Sequence, residues 1–86
     1  MPYIDAKERE VYNELVSHMR TVHIGSPGQL NYLLTQLVHA FLGSKKQCYQ
    51  HYNDVLGALE GCKLELYRHD IAGYENSKID SNGDVP

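Results

Sequence analysis

The sequence predicts an all-α protein: a helical hairpin packed on a long C-terminal helix, with a short polar C-terminal tail. Three observations carry that expectation. Apolar residues recur at helical spacing in three successive segments. Each of the three segments opens on a capping signal. The third, residues 44–74, is the longest run compatible with a single helix. Residues 1–74 are read as one helical domain and 75–86 as the tail.

The lead-in of residues 1–4, MPYI, offers Tyr3 and Ile4 as a hydrophobic staple for the first helix. Asp5, with Glu8 three positions on, has the pattern of a capped start. From there to about His23, Val11, Leu15, Met19 and Val22 share one face. His18 and His23 border that face without a partner at ligand spacing.

Ile24 and Gly25 close this helix, and Ser26, Pro27 and Gln29 open the next: a cap, a proline at the first helical position, and an amide three residues after the cap. Leu30, Leu33, Leu34, Leu37, Val38 and Phe41 then make the cleanest amphipathic pattern in the chain, ended by Gly43. Asn31 and Thr35 lie one turn apart on the flank of this face. Polar groups so placed are expected to hydrogen-bond a neighbouring helix, with ligand contact as the second reading.

The long helix is expected to begin at Ser44, with Gln47 completing a capping box. Cys48, Tyr52, Val55, Leu56, Leu59 and Leu66 form its apolar stripe. Lys63 and Asp70 interrupt the middle of the stripe, flanked by Tyr67 and Tyr74, while Leu64 and Ile71 occupy a second flank. Gly57 and Gly61, one turn apart on the opposite side, permit either a close helix–helix approach or a bend. The residues after Tyr74 are small and polar, with an Asn82-Gly83 turn signal, and Ile79 and Val85 are candidates to pin the tail.

At ~1.5 Å per residue the three helices span about 27, 24 and 45 Å. The third outreaches its companions by roughly 15–20 Å, and its far end carries an apolar patch of a kind monomers rarely leave bare. A second copy of the chain, most simply related by two-fold symmetry, is the expected cover. The expected oligomer interface comprises Gly57, Gly61, Leu64, Leu66 and Ile71. The competing account is a break near Gly57 and Gly61 that folds the end back.

The charge pattern and size narrow the function classes. A chain of 86 residues with formal charge −3 lacks the cationic excess that nucleic-acid binding needs. No apolar run approaches the ~20 residues of a membrane span, and the N-terminus is too polar for a signal peptide. A cytosolic protein is expected. Cys48 and Cys62 on one helix are about 21 Å apart along its axis, too far for an intrachain bridge, and both are expected to be small buried thiols.

Several constellations are weighed and set aside. Cys48, His51, Cys62 and His69 include metal-ligand types, but they do not converge on one ion. Asp80, Asn82 and Asp84 open like a calcium loop that lacks its glycine and its closing glutamate. Glu60 and Glu65 point to different sides of the helix, and Glu65 with His69 at i, i+4 reads as a surface pair. No nucleophile elbow or phosphate loop occurs. No catalytic residue, metal site or cofactor is expected, and the chain is read as non-enzymatic.

One row remains. Lys63, Tyr67, Asp70 and Tyr74, with Arg68 nearby, give cations, a carboxylate and flat rings on one face. Enclosed between two copies, these groups and Asn31 and Thr35 suit a nucleotide-like or anionic ligand. The plainer reading is an intersubunit Lys63–Asp70 ion pair with the tyrosines as packing.

The segments MPYI (1–4), GQLNYLLTQLVHAFLG (28–43) and YNDVLGALEGCKLELYRHDIAGYENSKIDSNGDV (52–85) resemble a family of short proteins encoded by tailed phages and some bacteria. The family pattern carries a proline where Gly73 stands and a second arginine where His69 stands. The resemblance implies a phage or prophage source and a small accessory protein acting in the cytoplasm of the bacterial host, and it transfers no catalytic residue. The function expected is therefore a self-associating interaction protein that binds a host or phage protein. The alternative is a counter-defence protein sequestering a nucleotide signal in an intersubunit pocket.

Overall fold

The computed structural model describes residues 4–83, and among these the chain is all-α. The elements are α1 (Ala6–Arg9), a 3₁₀ turn (Glu10–Tyr12), α2 (Asn13–Met19), α3 (Pro27–Gly43), α4 (Tyr49–Leu66), a π-turn (Tyr67–Ile71) and α5 (Ala72–Asn82). They fall into an N-terminal unit through His51 and a C-terminal unit from Tyr52 on. Tyr3 and Val85, named above as staple and pin, lie outside the described residues.

The N-terminal unit is a short hairpin. Asp5 caps α1 as its position predicts, its Oδ1 accepting from the Glu8 N–H at 3.0 Å. The first helix is not the single run to His23 that periodicity suggests. It tightens into the 3₁₀ turn at Glu10–Tyr12, where a β-branched and an aromatic residue weaken the preference for α geometry. That turn rotates Val11 off the shared face, leaving it 79 % exposed, and Val16 is the half-buried residue instead. The helix stops at Met19 because Thr21 and Val22 turn their N–H groups back onto His18 and Met19, and the Thr21 hydroxyl donates to the His18 carbonyl at 2.7 Å.

α3 begins as its cap, proline and glutamine dictate. Ser26 Oγ accepts from the Gln29 N–H at 3.2 Å, and the Gln29 side chain accepts from the Gly25 N–H at 2.6 Å. One orphan donor of the helix start, the Gln29 N–H, and the N–H of the residue before the cap are thereby satisfied. Leu34, Val38 and Leu42 are half-buried along its length. Between α2 and α3 lies an apolar groove of about 360 Å³, walled by Leu15, Met19, Val22, Leu33 and Leu37.

The long helix differs from expectation at both ends. Ser44 is the C-cap of α3 and the Lys45 N–H bonds the Leu42 carbonyl at 3.0 Å, so the backbone that an N-cap at Ser44 would need is already committed. α4 starts at Tyr49. Gly57 and Gly61 pass through it without a break. The polar residues from Glu75 continue the helix to Asn82, where Gly83 takes φ 87°, the half of the map glycine favours. Residues 49–82 thus form one helical rod about 50 Å long, nearly twice the ~26 Å of α3.

No described hydrophobic side chain is buried, and few contacts join residues distant in sequence. Cys48 and Cys62, expected as buried thiols, are both free and exposed: Cys48 precedes the start of α4 in the N-terminal unit, and Cys62 lies on a helix with no second layer in its own unit to cover it.

Candidate functional site

The residues singled out on the long helix gather around its one irregularity. At Tyr67–Ile71 the backbone widens to a π-turn, closed by the Ala72 N–H donating to the Tyr67 carbonyl five residues back. Such a turn holds one residue more than the α-helix does. Its effect on phase is large. At ~100° per residue, Tyr52, Val55, Leu59 and Leu66 lie within a window of about 60°. In an unbroken α-helix Asp70 would fall inside that window and Ile71 about 120° from Leu59. Discounting the extra residue moves Asp70 roughly 70° off the centre and brings Ile71 and Tyr74 into line. The apolar stripe then runs from Tyr52 to Tyr74 with Lys63 at its edge.

A side-chain contact reports the same shift. The Tyr67 hydroxyl donates to Glu75 Oε2 at 3.2 Å across eight residues. Eight α-helical steps overshoot two full turns by about 80°, whereas seven fall short by only about 20°. The two side chains meet because the π-turn absorbs one step. The Glu75 carboxylate holds the Tyr67 phenol above its usual ionisation range, first through this hydrogen bond and then through its negative charge, with a smaller contribution from desolvation.

The two cations of the row, Lys63 and Arg68, are engaged within their own helix. Half-buried Glu65 uses one oxygen, Oε1, to accept from Arg68 Nη2 at 2.6 Å and from His69 Nε2 at 2.7 Å. Arg68 Nη2 also lies 2.9 Å from His69 Nε2. The shared carboxylate draws the two basic groups together. The pairing of Glu65 with His69 is the one their i, i+4 spacing predicts. Lys63 Nζ stands 3.6 Å from Glu60 Oε1, both well exposed. Lys78 lies over the ring of Tyr74, 5.5 Å from its centroid. In the N-terminal unit the Thr35 hydroxyl donates to the Asn31 backbone carbonyl of its own helix at 2.8 Å, a local bond in place of the neighbour-helix bond expected of this threonine.

Gly57, Gly61 and Leu64 face away from the stripe, whereas Leu66 and Ile71 belong to it. A Cβ added at Gly57 would meet no atom within 4 Å. Among the described residues no three His, Cys, Asp or Glu side chains gather as metal ligands. None of the helices there is long and apolar enough to cross a membrane. Sequence reasoning missed Glu75 and the π-turn itself. The signal was present: Leu66 and Ile71 stand five apart, out of step with the three-four rhythm of the stripe, and a carboxylate sat where the rhythm called for an apolar residue.

The class defined by these features is a small all-α chain whose apolar surface lies largely uncovered. It belongs to a family described as a domain of unknown function (DUF6899), whose model matches residues 1–85. No curated protein and no solved structure is significantly similar to it.

Proposed function

We propose that the chain is a non-enzymatic interaction protein of phage or prophage origin that self-associates through its long helix and binds a host or phage protein in the bacterial cytoplasm. The observation that carries this reading is the uncovered apolar surface: no described hydrophobic side chain is buried, and on the rod Leu66, Tyr67, Ile71 and Tyr74 are 37–63 % exposed. Surfaces of that kind mark sites of association rather than chemistry. The pairing of Lys63, Arg68 and His69 with carboxylates of their own helix also leaves the row better suited to a protein rim than to capture of an anion.

Light scattering on the purified chain over a range of concentrations tests the reading. A particle of two or more 9.8 kDa copies is the expected result, and a lone copy at every concentration overturns it. A nucleotide panel separates the alternative. A rise in melting temperature with one nucleotide, lost in Lys63→Ala, would replace protein binding with ligand sequestration.

A further inference from the structure

No single helix of the chain matches the rod, because the ~26 Å of α3 is about half of its ~50 Å, and Tyr52, Leu59, Leu66, Ile71 and Tyr74 along it are 37–63 % exposed. What covers it is indicated by the order of residues along the stripe. Tyr52, Val55, Leu59, Leu66, Ile71 and Tyr74 follow one another at intervals of three, four, seven, five and three positions. The π-turn absorbs one of the five. The intervals then become three, four, seven, four and three, the same read from either end.

A palindrome is the pattern an antiparallel pair of identical helices requires, since a two-fold axis sets each residue opposite its mirror position. We infer that this stripe is a seam between two copies of the chain, their long helices antiparallel, with Tyr52 opposite Tyr74, Val55 opposite Ile71 and Leu59 opposite Leu66. An unrelated partner has no reason to impose that symmetry. The π-turn is what makes the second half of the seam match the first, and the Tyr67–Glu75 hydrogen bond spans it. A seam roughly 32 Å long and ~10–12 Å wide has a footprint of about 350 Å² per copy, roughly 700 Å² for the pair, a small interface against the ~800 Å² per partner of a standard one.

The axis falls between Cys62 and Lys63. The two Cys62 residues meet on one flank of the seam and the two Lys63 residues on the other, each lysine beside its own Glu60 at 3.6 Å. With the helix axes 8–10 Å apart, as is typical of packed helices, the Cys62 Cα atoms come within the ~7 Å that a disulfide spans. Cys48 has no such counterpart across the axis.

This inference rests on the self-association proposed above, and one experiment separates the two. Diamide oxidises two thiols to a disulfide, taking up the two protons and two electrons released. On the intact chain the expected product is a covalent dimer that disappears in Cys62→Ser and persists in Cys48→Ser. Leu59→Glu is expected to weaken the dimer at least ~30-fold, whereas Leu64→Glu on the opposite side, and deletion of Asp70, which takes out the residue the π-turn absorbs and keeps the stripe in register, are each expected to weaken it less than ~3-fold. A monomer at all concentrations overturns both readings. An oligomer that does not cross-link through Cys62, or that Leu64→Glu weakens as much as Leu59→Glu does, overturns the seam and leaves self-association standing. The cross-link is read on the unaltered helix, so the result stands even where Leu59→Glu loses its fold.

Discussion

The Tyr67 hydroxyl reaches Glu75, eight residues further along the same helix, at 3.2 Å. A regular α-helix would carry those two side chains to different faces, so the contact exists only because the backbone between them holds a residue too many. Removing the acceptor should therefore be visible in the phenol. In Glu75→Gln the ionisation of Tyr67 is expected to fall toward the ordinary 10.0, read as the difference in phenolate absorbance against Tyr67→Phe in the same background. The sign follows from the direction of the shift. A group whose ionisation is raised by folding contributes its stabilisation fully below the unfolded value and loses it as pH rises through the folded one. Helix content in the wild-type chain should accordingly decline on the alkaline side of 10, and that decline should weaken in Tyr67→Phe.

The two caps that hold should differ measurably from the one that does not. Asp5→Ala and Ser26→Ala remove acceptors seen at 3.0 and 3.2 Å, and each is expected to lower stability by about 1 kcal/mol. Ser44→Ala, at a position with no capping role for its side chain at a helix start, should stay within ~0.5 kcal/mol. Urea denaturation of the three variants at one protein concentration makes the comparison.

Gly57 lies within α4 with open space where a Cβ would stand. Gly57→Ala is expected to raise stability by about 1 kcal/mol, the difference in helix propensity between the two residues. A loss instead would mean that another backbone packs against this side of the rod.

Glu65 is the common acceptor of Arg68 and His69. Both basic side chains are largely exposed, so Glu65→Gln should lower stability by no more than about 1 kcal/mol, with most of the effect gone at ~1 M salt. A melting series in increasing salt would show it.

Much of this architecture was legible in local chemistry. Asp5, Ser26, Pro27 and Gln29 announce two helix starts because capping depends on residues three apart, a relation that survives in any fold. Ser44 with Gln47 has the same spacing and fails, since the α3 terminus had already claimed that backbone, and which of two helices owns a serine is not a property of four residues. The polar stretch after Tyr74 reads as a tail on composition alone, but a helix already nucleated adds each further residue at little cost. The π-turn was hidden because a fixed 100° step assigns Asp70 to the stripe and Ile71 to its flank, and only a change of step reverses them. Of the candidate site, the Glu65–His69 pair was readable as an i, i+4 relation, and the Tyr67–Glu75 contact was not.

The scarcity of contacts between distant parts of the chain has a bearing on how the molecule comes into being. Helices formed from near neighbours assemble within about a microsecond of synthesis, with no long loop to close. With the self-association proposed above, lasting order waits on an encounter with a second copy, and heat resistance should climb as the number of copies in the cell climbs. The amount made, as much as the residues in it, would decide when this protein is folded.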